Sequence, residues 1–147
     1  MKKFLFVTLL FVPLLMSTGC YEDINVSKIK DVSYQELKGS TLKLAFVATV
    51  DNPNFFNVKI KNANMDLRLH DRVIGKVIQM EQVDLRARTE KDYTVNVSIE
   101  IKDMLSNALL ISRALMNEPS SLNLSGTVQA KSFLYTKTFE VDRLTFQ

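Results

Sequence analysis

Nucleophilic and metal chemistry in proteins depends largely on histidine, cysteine and paired carboxylates, and this chain of 147 residues has few of the first two. His70 is the only histidine and Cys20 the only cysteine. Zinc sites and Ser-His or Cys-His arrangements need more such residues, so the sequence predicts no metal site and no catalytic triad. Glu81, Asp84 and Glu90 could pair as acid and base, but carboxylates between strands are usually solvated. We therefore predict a non-enzymatic protein without a cofactor.

The N-terminus has the composition of an export signal. Lys2 and Lys3 precede a mostly apolar stretch, residues 4–16. A basic start followed by a short apolar region is typical of secretory signals. As a helix rising ~1.5 Å per residue the stretch would span only about 20 Å, less than the ~30 Å hydrocarbon core of a bilayer. Residues 1–19 are therefore interpreted as a signal peptide that is removed.

Cys20 follows the apolar stretch directly, behind the small residues Ser17, Thr18 and Gly19. This sequence resembles the bacterial lipobox, in which the thiol receives a diacylglyceryl group and the signal is cut just before the cysteine. The resemblance implies cleavage between Gly19 and Cys20, with diacylglycerol on the sulfur and an acyl chain such as palmitate on the new amino terminus. The lipobox usually has an aliphatic residue at the position of Ser17. Ordinary cleavage after Gly19, which would leave a free thiol, is the alternative.

A lipidated Cys20 would anchor the chain to a membrane without spanning it. Residues 20–28 would then be a short tether that keeps the folded domain close to the lipid. Tyr21 stands where an aspartate would indicate retention at the inner membrane in some Gram-negative sorting systems. We therefore expect the outer membrane of a Gram-negative cell envelope, and either face of that membrane is possible.

Length and charge favour a single domain that does not bind nucleic acid. The chain is 46% hydrophobic, which is enough for one packed core. It has 19 basic and 16 acidic residues, and removal of the signal with Lys2 and Lys3 leaves 17 basic residues and a net charge of +1. No basic block is interleaved with aromatic residues, as a nucleic-acid surface would require. The four glycines are scattered and form no phosphate-binding loop.

The chain after the tether alternates apolar and polar residues, as half-buried strands do. The clearest case runs from Tyr93 to Ile101. Similar alternation occurs in residues 41–51, 63–69, 73–77, 122–130 and 139–146. We predict a mainly β domain over residues 29–147, an immunoglobulin-like or fibronectin-like antiparallel β-sandwich of about seven strands.

One segment, residues 103–116, has helical rather than alternating spacing. Asp103 is placed to cap the helix, and Asn117, Glu118 and Pro119 should end it. We expect its apolar residues to pack on the core and cover an edge or end of the sandwich. These residues are Met104, Leu105, Ala108, Leu109, Ile111, Leu115 and Met116.

A proline interrupts two segments that would otherwise form one strand. Pro53 has no amide hydrogen, and the asparagines beside it favour turns, so Asn52-Pro53-Asn54 should end a strand and bend the chain. This predicts a structural turn with no ligand chemistry. Phe55 and Phe56 follow directly, and both cannot easily point inward. One of them is a possible contact for a partner or a membrane.

The stretch from Val50 to Ile60, which contains Asn-Pro-Asn, resembles the late embryogenesis abundant type 2 family, also called the water stress and hypersensitive response domain. The row Met65, Leu67 and Leu69 and the pair Ser125-Gly126 are similar to the family as well. The resemblance covers residues 33–147 and implies a fibronectin-like or immunoglobulin-like sandwich with an added helix. It also implies a link to desiccation or envelope stress. At the predicted turn, His70 to Arg72, family members often have a glycine.

Two functions follow as hypotheses. The first is a lipid-anchored, non-catalytic module that binds or scaffolds an envelope protein partner, or protects against stress. The second is a carrier of a lipid or another apolar ligand between the sandwich and the helix. The residues proposed to hold that ligand are Phe46, Phe55, Phe56, Leu109 and Met116.

Overall fold

The computed structural model describes residues 21–133 and 135–146. It is mainly β, with one α-helix in the described residues. The strands are β1 (Asn25–Lys38), β2 (Thr41–Asn52), β3 (Val58–Leu69), β4 (Arg72–Met80), β5 (Val83–Leu85), β6 (Thr89–Ile101), β7 (Leu122–Lys131) and β8 (Thr136–Thr145). The helix α1 (Met104–Asn117) joins β6 to β7, with a short 3-10 turn (Pro119–Ser121) between α1 and β7.

All strands belong to one antiparallel sheet, in the order β1-β2-β6-β4-β3-β7-β8, with β5 paired to β3. The predicted division into two packed sheets is not confirmed, because β6 hydrogen-bonds to β2 along its length and also to β4. The sheet instead curls into a half-barrel. The curling brings Phe46 of β2 to 5.6 Å from Phe146, which follows β8, between ring centroids.

The concave face of the sheet holds the core. Side chains from β1, β2, β3, β4, β6 and β8 all reach it, and they leave a small apolar cavity of about 110 Å³. The largest fully buried hydrophobic side chains are Leu44, Leu67, Ile74, Leu85, Ile99, Leu122, Leu124 and Phe146. Alternate residues of β6 are buried from Val95 to Ile101, as the alternation predicts.

The strand β1 was not among the predicted strands, for a physical reason. It is an edge strand whose residues are mostly exposed, so it shows no clean apolar alternation. Three register shifts interrupt its pairing with β2. Such bulges are common at sheet edges, where they twist the edge away from other chains.

The predicted helix is present, but two expectations about it are wrong. Asp103 makes no side-chain capping bond, because its φ of 45° is left-handed rather than the extended conformation of a capping residue. Of the predicted apolar stripe only Ile111 is fully buried, while Ala114 and Asn107 complete the buried face. Leu105, Leu109 and Met116 face solvent instead of the core, with exposures of 100%, 59% and 81%.

Gly126 in β7 is required by close packing of two backbones. It has a φ of +146°, and a Cβ at this position would lie 2.2 Å from the carbonyl oxygen of Asn64 on β3. Only glycine fits there, which accounts for the Ser-Gly pair noted in the sequence. In the part of the chain that the structure describes, no helix has the length and apolar character to cross a membrane.

Candidate functional site

The Asn-Pro-Asn turn ends β2 and forms the centre of one end of the half-barrel. Asn52 is buried, and its amide nitrogen donates to the carbonyl oxygens of Phe56 at 3.1 Å and Arg86 at 3.1 Å. Its amide oxygen accepts from the backbone and side-chain nitrogens of Asn54 at 3.2 and 3.1 Å. One buried side chain therefore joins the loop after β2 to the loop after β5.

Asn54, also buried, fixes the N-terminal segment to this end of the molecule. Its Oδ1 accepts from the Glu22 backbone N–H at 2.9 Å, and its Nδ2 donates to the Glu22 carbonyl oxygen at 2.8 Å. Both backbone hydrogen-bonding groups of Glu22 are therefore paired with the Asn54 amide, as they would be with the backbone of a neighbouring strand. The backbone carbonyl of Asn54 also accepts from Arg88 N–H at 3.0 Å. The segment just after Cys20 is thus held at a defined point of the domain.

An aromatic cluster holds the residue before Glu22. The Tyr21 ring lies 6.0 Å from Phe56, 5.3 Å from Tyr135 and 5.6 Å from Phe139, measured between ring centroids. The Lys137 ammonium lies 4.7 Å from the Tyr21 centroid, in a cation–π contact, and pairs with Asp23 at 2.9 Å. Packing from three rings therefore fixes the chain one residue after the predicted lipidation site.

The environment of Tyr21 changes its acidity. Burial, followed by the nearby Tyr135 and Asp23, raises the pKa of the Tyr21 phenol to about 12. Its hydroxyl is buried without a hydrogen-bond partner in the described structure. Ionising the phenol in this position would place a negative charge beside apolar rings, which opposes deprotonation.

The same end of the domain exposes two phenylalanines. Phe55 follows Asn54 and is 72% exposed, while Phe133 lies in the loop between β7 and β8 and is 95% exposed. The Arg88 guanidinium carbon stands 3.9 Å from the Phe55 ring centroid. Phe56, in contrast, is half-buried in the cluster around Tyr21. The two adjacent phenylalanines therefore point in different directions, one outward and one into the cluster.

The carboxylates considered for acid–base chemistry are all exposed and do not form a pair. Glu81 accepts from Asn96 at 2.8 Å, Asp84 accepts from Gln82 at 2.7 Å, and Glu90 accepts from Ser27 at 3.4 Å. Within residues 21–133 and 135–146, no cluster of three metal-ligating side chains is found.

The opposite end of the half-barrel has a different apolar surface. An open cleft of about 270 Å³ lies between α1 and the strands β1, β2 and β6. It is lined by Tyr34, Leu37, Leu42, Ile101, Met104, Ala108, Ile111, Ser112, Leu115 and Met116.

The five residues predicted to hold a carried ligand do not meet at that cleft. Only Met116 lines it. Phe46 faces the interior of the sheet, and Leu109 lies on the exposed side of the helix. Phe55 and Phe56 belong to the other end of the molecule, near Asn52 and Asn54.

Two of the predicted site residues, Gly19 and Cys20, at the predicted cleavage and lipidation site, lie outside the described residues. Asn52, Pro53 and Asn54 form the turn described above. Sequence reasoning missed the attachment of Glu22 to Asn54 and the cluster around Tyr21. The pairing of residues 32 positions apart leaves no periodic signal in the sequence.

Comparison with known proteins gives a family match. The family model described as late embryogenesis abundant protein matches residues 47–143, from β2 to β8. The match includes the Asn-Pro-Asn turn, the helix and Gly126. Among curated proteins, none matches this chain.

A solved structure is also similar to this chain. It is a crystal structure of a protein from Archaeoglobus fulgidus, with a TM-score of 0.46 and 9% sequence identity, and the match covers 80% of this chain and 98% of that chain. A likeness at this distance carries no argument about function.

Replacing Asn54 by alanine should release the N-terminal segment. Asn54→Ala removes both bonds to Glu22 and leaves the buried Asn52 oxygen with one partner fewer, which should lower the free energy of unfolding by about 2 kcal/mol. Chemical denaturation measures this loss, and amide hydrogen exchange should be faster at Glu22. Asn62→Ala is the control, since Asn62 bonds only an exposed glutamine and should change stability by less than about 0.5 kcal/mol. Equal effects of the two variants would contradict the role of Asn54.

The Tyr21 phenol should ionise at an unusually high pH, because burial raises its pKa to about 12. In ultraviolet difference spectroscopy of the folded protein we expect one phenol to ionise only near pH 12, and Tyr21→Phe should remove that step. The folded-state pKa is above the unfolded value of ~10, so the stabilising effect is complete below pH 10 and is lost as the pH rises towards 12. A titration curve unchanged by Tyr21→Phe would show that the ring is not packed as described.

Proposed function

Because the chain belongs to the late embryogenesis abundant type 2 family, we propose that it is a bacterial envelope lipoprotein, anchored through Cys20, that acts as a binding, scaffolding or desiccation-protective module. The family is generally non-enzymatic and stress-related. The anchor, the envelope location and the contact surfaces are the specific parts of the proposal. Each rests on a separate feature of this chain.

The pair of hydrogen bonds between Glu22 and Asn54 is the observation that supports the anchored arrangement. Cys20 is two residues before Glu22, and a chain extends at most ~3.6 Å per residue, so the sulfur-bearing residue is within about 7 Å of a fixed point on the domain. An acylated Cys20 would therefore hold this end of the half-barrel directly at the lipid surface. The short reach suits an anchor better than a flexible linker.

The proposed acyl chains would make membrane attachment long-lived. Each buried methylene contributes ~0.8 kcal/mol, so two or three chains bind far more firmly than a single chain does. Tyr21 in place of an aspartate supports an outer-membrane location. The proposed lipid on Cys20 is a covalent modification rather than a cofactor.

The exposed side of α1 is the proposed contact surface for an envelope protein. Leu105, Leu109 and Met116 are all exposed there, beside the cleft under the helix. Strand β2 has 12 residues, which at ~3.3 Å each separates the two ends of the sheet by up to about 40 Å. An anchored domain would thus present the helix away from its own membrane, where a protein partner can reach it.

Carriage of an apolar ligand is the second candidate, favoured by the cleft under α1. Its lining is largely aliphatic, as a lipid tail or similar ligand requires. The volume of about 270 Å³ is slightly smaller than that of typical ligand pockets, which is ~300–1,000 Å³. Such a cleft would take a small apolar group rather than a whole lipid.

Lipidation is tested by labelling cells with an alkyne analogue of palmitate and isolating the protein. The wild-type chain should carry the label and sediment with membranes, because Cys20 supplies the acceptor thiol. Cys20→Ser should lose all label and leave the membrane fraction.

The control for that labelling experiment is Tyr21→Phe, which keeps the thiol and should be labelled normally. A wild-type chain that carries no label, or a Cys20→Ser variant that is labelled as strongly as the wild type, would refute the proposed anchor.

Partner binding is tested by photo-crosslinking in living cells. A photoreactive amino acid replaces Leu109 on α1, or Ile78 on β4 as the matched control, since these side chains are 59% and 55% exposed. A specific crosslinked protein should form from position 109 and not from 78. Empty results from position 109 under both normal and drying conditions would contradict a protein partner at the helix.

A further inference from the structure

We infer that the end of the domain carrying Phe55 and Phe133 inserts into the bilayer interface, as a second, non-covalent membrane contact beside the lipid anchor. The inference rests on the proposed anchor at Cys20 and adds what the folded domain itself does at the membrane. This surface would contact the headgroups and the upper part of the acyl chains of the membrane that holds the anchor. Protein partners are assigned to the helix end instead.

Several loops and the N-terminal segment meet at this end. Asn54 in the loop after β2 bonds both Glu22 and the backbone N–H of Arg88, in the loop between β5 and β6. Tyr135, in the loop between β7 and β8, has its ring 5.9 Å from Phe56 and 5.3 Å from Tyr21. The loops that carry Phe55 and Phe133 are therefore both attached to the segment that follows Cys20.

The position of the N-terminal segment indicates which surface of the domain would face the membrane. The two residues that follow Cys20 are both fixed at this end, because the Tyr21 ring packs 5.3 Å from Tyr135 and Glu22 is hydrogen-bonded to Asn54. An acyl group on Cys20 would enter the bilayer beside Asn54. Phe55 is the next residue in the chain and is directed outward, so the anchored geometry brings its ring to the lipid.

The chemistry of the exposed side chains fits an interfacial layer. Phe55 and Phe133 are 72% and 95% exposed on loops that meet at this end, and exposed apolar groups that lie together mark protein or membrane contacts. Phenylalanines with cationic residues beside them are typical of chains that lie in the headgroup region. Arg88, stacked on Phe55, places its guanidinium where it could reach lipid phosphates.

The charges at this end are compatible with an anionic lipid surface. The loop between β5 and β6 contributes Arg86 and Arg88 and no acid. Of the two acids in the N-terminal segment, Asp23 is paired with Lys137 at 2.9 Å, and Glu22 is exposed. The apolar rings, rather than a strong net charge, therefore carry the contact.

The test uses fluorescence, because the chain contains no tryptophan. Full-length lipidated protein is reconstituted into vesicles of phosphatidylethanolamine and phosphatidylglycerol, with or without bromine on the acyl chains. Single variants Phe55→Trp and Phe133→Trp report on the proposed contact. Leu105→Trp is the control, because Leu105 is fully exposed at the helix end.

Brominated lipid should quench the indoles at positions 55 and 133 about twofold or more relative to the indole at position 105, and aqueous iodide should show the reverse order. If the vesicles float with bound protein but all three indoles respond alike, the inference is overturned while the lipid anchor stands. Free access of iodide to the indoles at positions 55 and 133 would also overturn the inference, and that surface would then be available to a protein partner. Protein that does not float with vesicles refutes the anchor, and the inference with it.

Discussion

The arrangement of this protein depends on two buried amide side chains, Asn52 and Asn54. A buried amide must find partners for its donors and acceptor, since each hydrogen bond contributes about 1 kcal/mol net while an unsatisfied group costs more. Here the partners are backbone groups of the N-terminal segment and of the loop after β5. The requirement to satisfy two amides thus joins segments that are far apart in sequence. Pro53 between them has no N–H of its own to satisfy, so it fits where the strand must end.

This junction explains why the start of the folded domain is so well defined. Tyr21 packs among three rings, Glu22 pairs with Asn54, and Asp23 pairs with Lys137. The exposed ion pair contributes little by itself, because water and salt screen it. The buried amide and the aromatic packing stabilise the junction more strongly, and together they place three consecutive residues on one end of the half-barrel. A domain attached in this way would keep a fixed orientation relative to the group joined to Cys20.

The sequence predicted the interior strands and the helix because burial on one face leaves a period that can be read. It did not distinguish two packed sheets from one curled sheet, since both require alternating residues and differ in whether one unbroken hydrogen-bonded path joins all the strands. The edge strand β1 was missed because few of its residues are buried. The apolar stripe of α1 was assigned to the core, yet Leu105 and Met116 are exposed, because periodicity shows that a helix has an apolar face but not what covers it. The Asn-Pro-Asn turn was predicted from local chemistry, whereas its attachment to Glu22 is a tertiary contact without a local signal.

The distance between the two ends also bears on the choice between a scaffold and a lipid carrier. In the proposed arrangement the anchored end lies at the bilayer, and the cleft under α1 is up to about 40 Å away, the length of β2. A carrier that loads from its own membrane needs its pocket near the lipid, because an exposed acyl chain loses ~0.8 kcal/mol for each methylene that leaves the bilayer. A domain with its apolar cleft on the far side is therefore better suited to hold a partner at a fixed distance from the membrane than to extract lipid from it.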